Sequence, residues 1–441
     1  MSFAVAPERL DEFLALAAAR DVEATVLGRF NHSGKFHITY GDRVVADIDI
    51  KFMHEGLPKL HLKAEWKPPV FDEPVISGRD LSADLVKLIG RLNICSDEYK
   101  ARQYDHEVKG LSIIKPFTGV CRDVASDATV TLAEPLAKEG IVLSAGILPR
   151  YSDIDTYWMA ASVLDLAVRR IIAVGGSLGH IAGLDNFCWP DPVQSAKTPD
   201  GEYKLAQLVR ANQGLYDFTK KFQVPLISGK DSMKNDSTRG GRKISIPPTV
   251  LLSAIAKMDD VSKALTLDFK RPAERIYVIG ETFDELGGSE YYAMFDAVGN
   301  NVPRVDAEKA LAIYRAVSAA TKAELVTALH TPALGGLGVA FAKMAIAGRL
   351  GAKLDLRSIQ KDLPLRSLLF SESNSRFVAT VREADAAAFE AALAGVPFAQ
   401  VGVVTEEPVL TWKAKENGAD VTATIALEAL LKAYKSTLDR I

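Results

Sequence analysis

The feature that most constrains this chain is a helix-length segment, residues 155–174, that is apolar on nearly every face. Trp158, Leu164, Leu166, Ile171 and Ile172 leave it no continuous polar stripe. Such a helix has to be covered on all sides, so it predicts a buried element between layers rather than a surface helix. A second long segment, 202–222, is amphipathic, with Leu205, Val209, Leu215, Phe218 and Phe222 on one side. It leads directly into residues 224–227, a short apolar run that reads as a buried strand. That run ends at Ser228-Gly229, and a polar loop with Lys230, Asp231, Ser232 and Lys234 is expected to follow. Glycine lets backbone N–H groups approach an anion, lysine and serine add donors, and aspartate can hold a cation. This is the chemistry of a phosphate and metal site at a strand end, although the same string also makes a solvated turn.

At 441 residues the chain exceeds one ordinary core, so two or three domains are expected. Hydrophobic residues at 48% and charged residues at 25% fit a soluble globular protein. A net charge of -3 gives no general pull toward nucleic acid. No apolar run approaches the roughly 18 residues of a membrane span. The N-terminal residues 1–9 lack the apolar core of a signal peptide. Cys95, Cys121 and Cys188 are far apart and odd in number, which suits a reducing cytoplasm and offers no metal-ligand spacing.

In chain order, residues 1–66 read as a small αβ unit. A helix is expected over 8–20, and strands over 24–30, 35–40 and 43–49, with a turn at Gly41-Asp42. Pro68, Pro69 and Pro74 predict an extended linker over 67–78, and 81–107 reads as largely helical, giving a linker-and-helix region at 67–107. Within 108–262, strands at 111–115, 129–132, 141–144 and 249–256 surround the two long helices. Within 263–441, strands at 275–279, 291–295, 377–381 and 399–404 alternate with a helix capped by Asp306, one opened by Gly335-Gly336 and one over 384–393. Strands separated by helices imply an α/β or α+β protein with two substantial domains.

Several polar clusters sit at strand or helix ends, where ligands collect in open sheets. Asp127 precedes a strand and suits a turn, a cap or a metal. Asp185-Asn186 follows a strand and suits magnesium, ribose or a turn. His330-Thr331 precedes Gly335-Gly336, a helix start whose free N–H groups suit an anion, although a helix opening after a flexible loop explains it equally well. Asp153 and Asp155 read as helix caps. The polar run 369–376 stands in an apolar context and is balanced between a loop and a binding segment. No Ser-His-Asp order or activated-cysteine setting emerges, so no catalytic residue is assigned.

Separated strings carry a family resemblance. Arg102-Gln-Tyr-Asp-His-Glu-Val-Lys-Gly110, Asp153-Ile-Asp-Thr-Tyr-Trp-Met-Ala-Ala161, Leu184-Asp-Asn-Phe-Cys-Trp-Pro190 and Ser228-Gly-Lys-Asp-Ser-Met-Lys-Asn235 resemble the second synthetase repeat of phosphoribosylformylglycinamidine synthase. Gly287-Gly-Ser-Glu-Tyr-Tyr292 and Leu369-Phe-Ser-Glu-Ser373 continue the likeness, which covers most of 80–405. Residues 1–66 resemble the tail of the first repeat. The resemblance implies an N-domain sheet similar to aminoimidazole ribonucleotide synthetase over 108–262 and a C-terminal αβ sandwich domain over 263–441, preceded by a fragment of the first repeat. It implies an ATP-dependent ligase that converts formylglycinamide ribonucleotide and glutamine-derived ammonia to the amidine in purine biosynthesis. The chain then looks like the C-terminal half of a split or truncated enzyme, with the first-repeat half and a glutaminase as partners. The alternative is a catalytically silent repeat that supports assembly.

The resemblance further implies ATP and magnesium as cofactors. Gly229, Lys230, Asp231, Ser232, Asp185 and Asn186 are its nucleotide-site residues, and Asp127 its metal ligand. The departures point the other way. Leu166 and Arg170 stand where the repeat often has magnesium-binding Glu and Asn, and Thr331 and Ala333 replace Asp and Ser before the glycine pair. Leucine offers magnesium no oxygen, so this repeat's internal magnesium site is expected to be weakened or lost.

Overall fold

The computed structural model describes residues 1–105 and 107–439; His106, part of the 102–110 string, lies outside the described residues. The chain forms two compact units, Met1–Leu62 and Lys63–Ile441. In the small unit, α1 (Leu10–Ala19) precedes an antiparallel hairpin of β1 (Lys35–Tyr40) and β2 (Arg43–Asp49). Asp49 caps the short helix Ile50–Glu55 by accepting from the Lys51 and Phe52 amides at 2.8 and 3.2 Å. Residues 24–30, expected as a strand, form none, because the hairpin sheet has only its own two strands. No residue of 1–62 is buried, so this unit lacks a core.

Residues 63–78 carry no helix or strand, yet they are pinned. Trp66 stacks on Tyr203 at 5.5 Å, and the Phe71 amide donates to Asn300 Oδ1 at 2.8 Å. The proline-rich stretch is thus extended and packed at once. Helix α2 (Leu81–Ile89) follows, capped by Asp80 and ended at Gly90. Only the single turn Glu98–Ala101 adds to it before residue 105, so 81–107 is less helical than expected.

The first large sheet contains β3 (Ser112–Ile114), β4 (Thr129–Leu132), β5 (Gly140–Ile147), β6 (Ile181–Cys188), β7 (Leu226–Ser232) and β8 (Thr249–Met258). Its order is β3-β4-β5-β8-β6-β7, and only β6 and β7 run parallel. The apolar helix of the sequence is α3 (Thr156–Ala173), capped by Asp155, and it packs between this sheet and α4 (Gly201–Phe222). Two glycines set these contacts. A Cβ on Gly146 would stand 2.1 Å from the Val163 carbonyl oxygen, and one on Gly214 would stand 2.5 Å from that of Tyr157. Sheet, α3 and α4 therefore meet backbone to backbone.

The second sheet contains β9 (Arg275–Ile279), β10 (Ala328–His330), β11 (Gly351–Asp355), β12 (Phe377–Val381), β13 (Phe398–Thr405), β14 (Val409–Glu416) and β15 (Ala419–Ala426). The order is β10-β12-β9-β13-β11-β14-β15. Helix α5 (Ala307–Lys322), capped by Asp306 at 3.2 Å from two amides, shares a core with α3, α4 and one face of this sheet. The opposite face is covered by α2, α6 (Gly336–Gly348) and α7 (Leu427–Ser436). Residues 291–295, expected as a strand from their aromatics, belong instead to the short helix Glu290–Ala293 and the turn after it. The Ser289 side chain caps that helix at 3.2 Å, and Tyr291 stacks on Phe370 at 4.5 Å, so capping and packing override strand propensity.

A buried ionic network ties α3 to the second sheet. Arg169 Nε lies 3.1 Å from Asp165 Oδ2 with both side chains essentially inaccessible. Arg169 also donates to the Pro332 carbonyl at 2.7 Å and to Asn374 Oδ1 at 3.3 Å. Asp165 accepts from the Tyr314 hydroxyl and from the Ser375 amide and hydroxyl at 3.1 and 2.8 Å. Removing one partner strands a buried charge, so Asp165→Ala is expected to lower stability by about 3–5 kcal/mol in denaturant titrations. The double change Asp165→Leu/Arg169→Met is expected to cost less than that single change; a larger cost would mean the charges themselves are not the determinant.

Candidate functional site

The 224–236 stretch is not a buried strand followed by a loop. Val224 is buried, but β7 runs from Leu226 through Ser232 as an edge strand, with Ile227 67% exposed. Asp185 pairs with Gly229 and Asn186 with Lys230 in the parallel β6–β7 ladder. Backbone pairing to β6 thus overrides the turn preference of Gly-Lys-Asp-Ser. Strand alternation then divides the expected nucleotide-site residues. Asn186 and Lys230 take the face opposite the helices, whereas Asp185 and Asp231 take the helix side. A Cβ on Gly229 would approach Asp185 Oδ1 to 2.9 Å, so glycine is what admits that carboxylate. Burial raises the Asp185 pKa, and the nearby Asp231 charge adds to the rise. Asp185 also borders a groove of about 550 Å³ lined by Asn212, Tyr216, Lys220 and Gln223.

After Ser232 the chain folds onto the end of β6. The Trp189 amide donates to the Ser232 carbonyl, and the Asn235 amide to the Trp189 carbonyl, both at 2.9 Å. The Asn235 side chain donates to the Ser232 carbonyl at 2.8 Å. The strings 184–190 and 228–235, separate in sequence, are one hydrogen-bonded structure.

Asp127 lies elsewhere, at the contact between the domains of the two large sheets. Its Oδ2 accepts from the His330 Nδ1–H at 2.7 Å, and both side chains are nearly buried. This pairing was not visible in the sequence, where the two residues stand 203 positions apart. Leu166 is in the core. Arg170 donates to the Ala145 carbonyl at 2.6 Å, while its Nε is buried with no hydrogen-bond partner. Burial lowers the Arg170 pKa, against the pull of Asp127. Burial also lowers that of Lys343, and Arg170 lowers it further. Among the described residues, no three His, Cys, Asp or Glu side chains cluster to hold a metal ion. One carboxylate already bonded to a histidine, with no cluster of further metal-ligating side chains about it among the described residues, does not by itself fit magnesium.

The Gly335-Gly336 helix start, for which the sequence leaves an anion site and a plain helix opening equally open, is filled from within. Glu372 accepts from the Gly335 and Glu290 amides, each at 2.9 Å, and from the Tyr151 hydroxyl at 2.7 Å. One buried carboxylate therefore satisfies two helix N-termini and reaches across to the first domain. Burial pushes its pKa up to about 7, against the pull of these three donors. The sequence signal was the polar run 369–376, which resolves into an internal tether. Of the two aspartates before α3, Asp155 caps the helix at 2.9 Å and pairs with Arg210 at 2.6 Å. Asp153 caps nothing, and burial raises its pKa.

Comparison with known proteins fits this geometry. The profile of the AIR synthase related protein, C-terminal domain, matches residues 271–414. Phosphoribosylformylglycinamidine synthase subunit PurL of Methanocaldococcus jannaschii is 32% identical over 395 residues, covering 87% of this chain and 51% of that protein. The same subunit of Methanosarcina mazei is 31% identical over 443 residues, covering 99% and 57%. This chain is similar to the PurL subunits over most of its own length. It spans about half the length of the curated relatives it matches. Thermotoga maritima PurL complexed with FGAR superimposes with a TM-score of 0.59 at 17% identity, over 81% of this chain and 54% of that one. The complex of that PurL with ATP gives 0.53 at 16% identity, over 81% and 53%, and the PurLQS structure 0.56 at 18%, over 80% and 52%. At these identities the PurL structures establish the fold: the α/β arrangement with a synthetase-like C-terminal domain expected from the sequence.

The Glu372 environment makes a signed pH dependence. Its folded pKa, pushed up to about 7, lies above the ordinary carboxyl value of 4.5, so the folded state holds the extra proton. This contribution to stability is full below about pH 4.5 and is lost as pH rises through about 7. Wild type is expected to lose about 3 kcal/mol relative to Glu372→Gln between pH 4.5 and 8, measured by denaturant unfolding. Parallel pH profiles of the two proteins would contradict it.

Proposed function

We propose that this chain is a component of an ATP-dependent C–N ligase that makes formylglycinamidine ribonucleotide from formylglycinamide ribonucleotide and glutamine-derived ammonia. In this reading a second chain supplies the first synthetase repeat, and a glutaminase supplies the ammonia. The observation that carries it is the open face of the six-stranded sheet. An antiparallel sheet facing water ordinarily alternates apolar inside with polar outside. Here Ile113, Ile141, Leu143, Ile147 and Ile255 are all exposed on the face away from α3, with Leu143 directly opposite Ile255. Each is still 39–49% exposed, so covering the remainder against a partner is worth on the order of 1 kcal/mol apiece. Asn186 and Lys230 lie toward the edge of the same face, where a partner's surface would enclose them.

The chemistry divides accordingly. ATP activates the amide oxygen by phosphorylation, and ammonia then displaces the phosphate. Lys230 offers an ammonium for a nucleotide or substrate phosphate, and Asn186 offers a carboxamide donor and acceptor. Asp185, Gly229, Asp231 and Ser232 support that edge from the strand pair. The PurL structures solved with FGAR and ATP, and the PurLQS structure, support the substrate, nucleotide and multi-subunit parts of this reading. A cytoplasmic setting agrees with three free cysteines. The silent-repeat reading draws on the internal cleft, where Glu372 and the Asp127–His330 pair occupy positions a ligand would need.

Mixing this chain with one carrying the first repeat, with ATP, formylglycinamide ribonucleotide and ammonium chloride, is expected to give amidine formation that neither chain gives alone. Within that mixture Lys230→Ala is expected to weaken ATP binding about tenfold or more, the loss of a charge-assisted phosphate contact. Activity with unchanged ATP affinity in the variant would favour the silent repeat; no activity in the mixture would refute the ligase reading.

A further inference from the structure

A cavity of about 560 Å³ is walled by segments 76–79, 360–366 and 415–418, the last forming the turn between β14 and β15. None of its walls belongs to the six-stranded sheet. Its volume suits a small organic ligand rather than one or two waters. The chemistry turns on Arg366. This side chain is half-buried, donates from Nη1 to the Ile76 carbonyl at 2.6 Å, and makes no ion pair among the described residues. Its Nε is buried without a partner, which leaves Nη2 as the nitrogen that meets the cavity. A guanidinium taken partly out of water without a carboxylate is costly unless a charged acceptor comes to it. The other cations of the walls differ in this respect. Arg79 is held by Asp84 at 3.0 Å and Lys361 by Glu281 at 2.9 Å. Lys361 also keeps a left-handed φ of 51°, a conformation that side chains resist. Lys415 is exposed and its ammonium has no partner among the described residues. Asp362 and Glu416 are exposed as well, and neither forms an ion pair with Arg366.

We propose that this cavity binds a small polyhydroxylated oxyanion, a sugar phosphate or a sugar acid, whose charged end meets Arg366 Nη2 and Lys415. Arginine and lysine offer donors only, which selects an acceptor-only group at that end. Ser77, Asp362, Glu416 and Asn417 line the same cavity. A hydroxyl donates to the carboxylates and accepts from the serine and the carboxamide, so these four suit the body of the ligand. Two free carboxylates beside two free cations also disfavour a polyanion and favour one charged end on a neutral body. Phosphate and carboxylate ends share this recognition. The site is separate from the open sheet face and from Lys230, and it stands without the ligase reading.

Hydrogen–deuterium exchange of the full chain tests it, with ribose 5-phosphate and gluconate as separate probes and ribose as the uncharged control. At least one charged probe at millimolar concentration is expected to slow exchange in 76–79 and 415–418, and ribose is expected to leave it unchanged. Protection by ribose 5-phosphate alone assigns a phosphate end, by gluconate alone a carboxylate end, and by both an oxyanion of either kind. Arg366→Gln is expected to raise the probe concentration needed about tenfold or more, the loss of a charge-assisted contact. That change also removes the bond to the Ile76 carbonyl, so Lys415→Gln, beside an exposed turn, is the second variant. Its unliganded exchange is expected to match wild type, and its need for probe to rise about threefold. Lys230→Ala is expected to keep the protection in full. No protection with either charged probe, equal protection by ribose, protection undiminished in either cavity variant, or protection lost in Lys230→Ala overturns the proposal.

Discussion

Everything in the large unit depends on the near-complete burial of α3. Its apolar faces meet the six-stranded sheet, α4 and α5, and glycines at positions 146 and 214 bring the backbones into contact. A helix so enclosed can carry polar groups only where each finds a partner. Asp165 and Arg169 do so by binding each other and by reaching Tyr314, Pro332, Asn374 and Ser375. The element that supports the first sheet is therefore also the clamp that fixes the second domain against it.

That clamp, with Glu372, determines where ligand chemistry has room. Glu372 joins Tyr151 of the first domain to two helix starts of the second, in the position an external anion would take at Gly335. Protein groups hold the domain boundary together. The opposite side of the first sheet is the reverse case: an apolar face with no cover among the described residues, edged by the strand that carries Lys230. One side of the sheet is finished internally, and the other is the apolar face that we propose a second polypeptide covers.

Much of the framework was legible in the sequence because its signals are local. The continuous apolarity of 155–174, the Asp155 and Asp306 caps and the glycine pair at 335–336 all mark elements that the structure contains. The failures share a cause in long-range pairing. Nothing within 228–232 announces that β6 will lie alongside it, so its turn-forming residues read as a loop. Tyr291 and Tyr292 carry strand propensity that Ser289 and Phe370 override. Asp127 and His330, or Glu372 and Gly335, meet only after two domains close. The exposed sheet face was equally hidden, because alternation shows that a strand has two faces and not which of them finds a partner.

The central claim is that the open face of the first sheet is an interface for a chain bearing the complementary synthetase repeat. Native mass measurement of this chain mixed with that partner, beside its Leu143→Lys variant, tests it most directly. Leu143 stands at the middle of the exposed face and away from the core, so the variant retains the fold, as circular dichroism would verify. A stable complex with the wild-type chain and none with the variant is the predicted result. A wild-type chain that stays alone, or a variant that associates equally well, would contradict it.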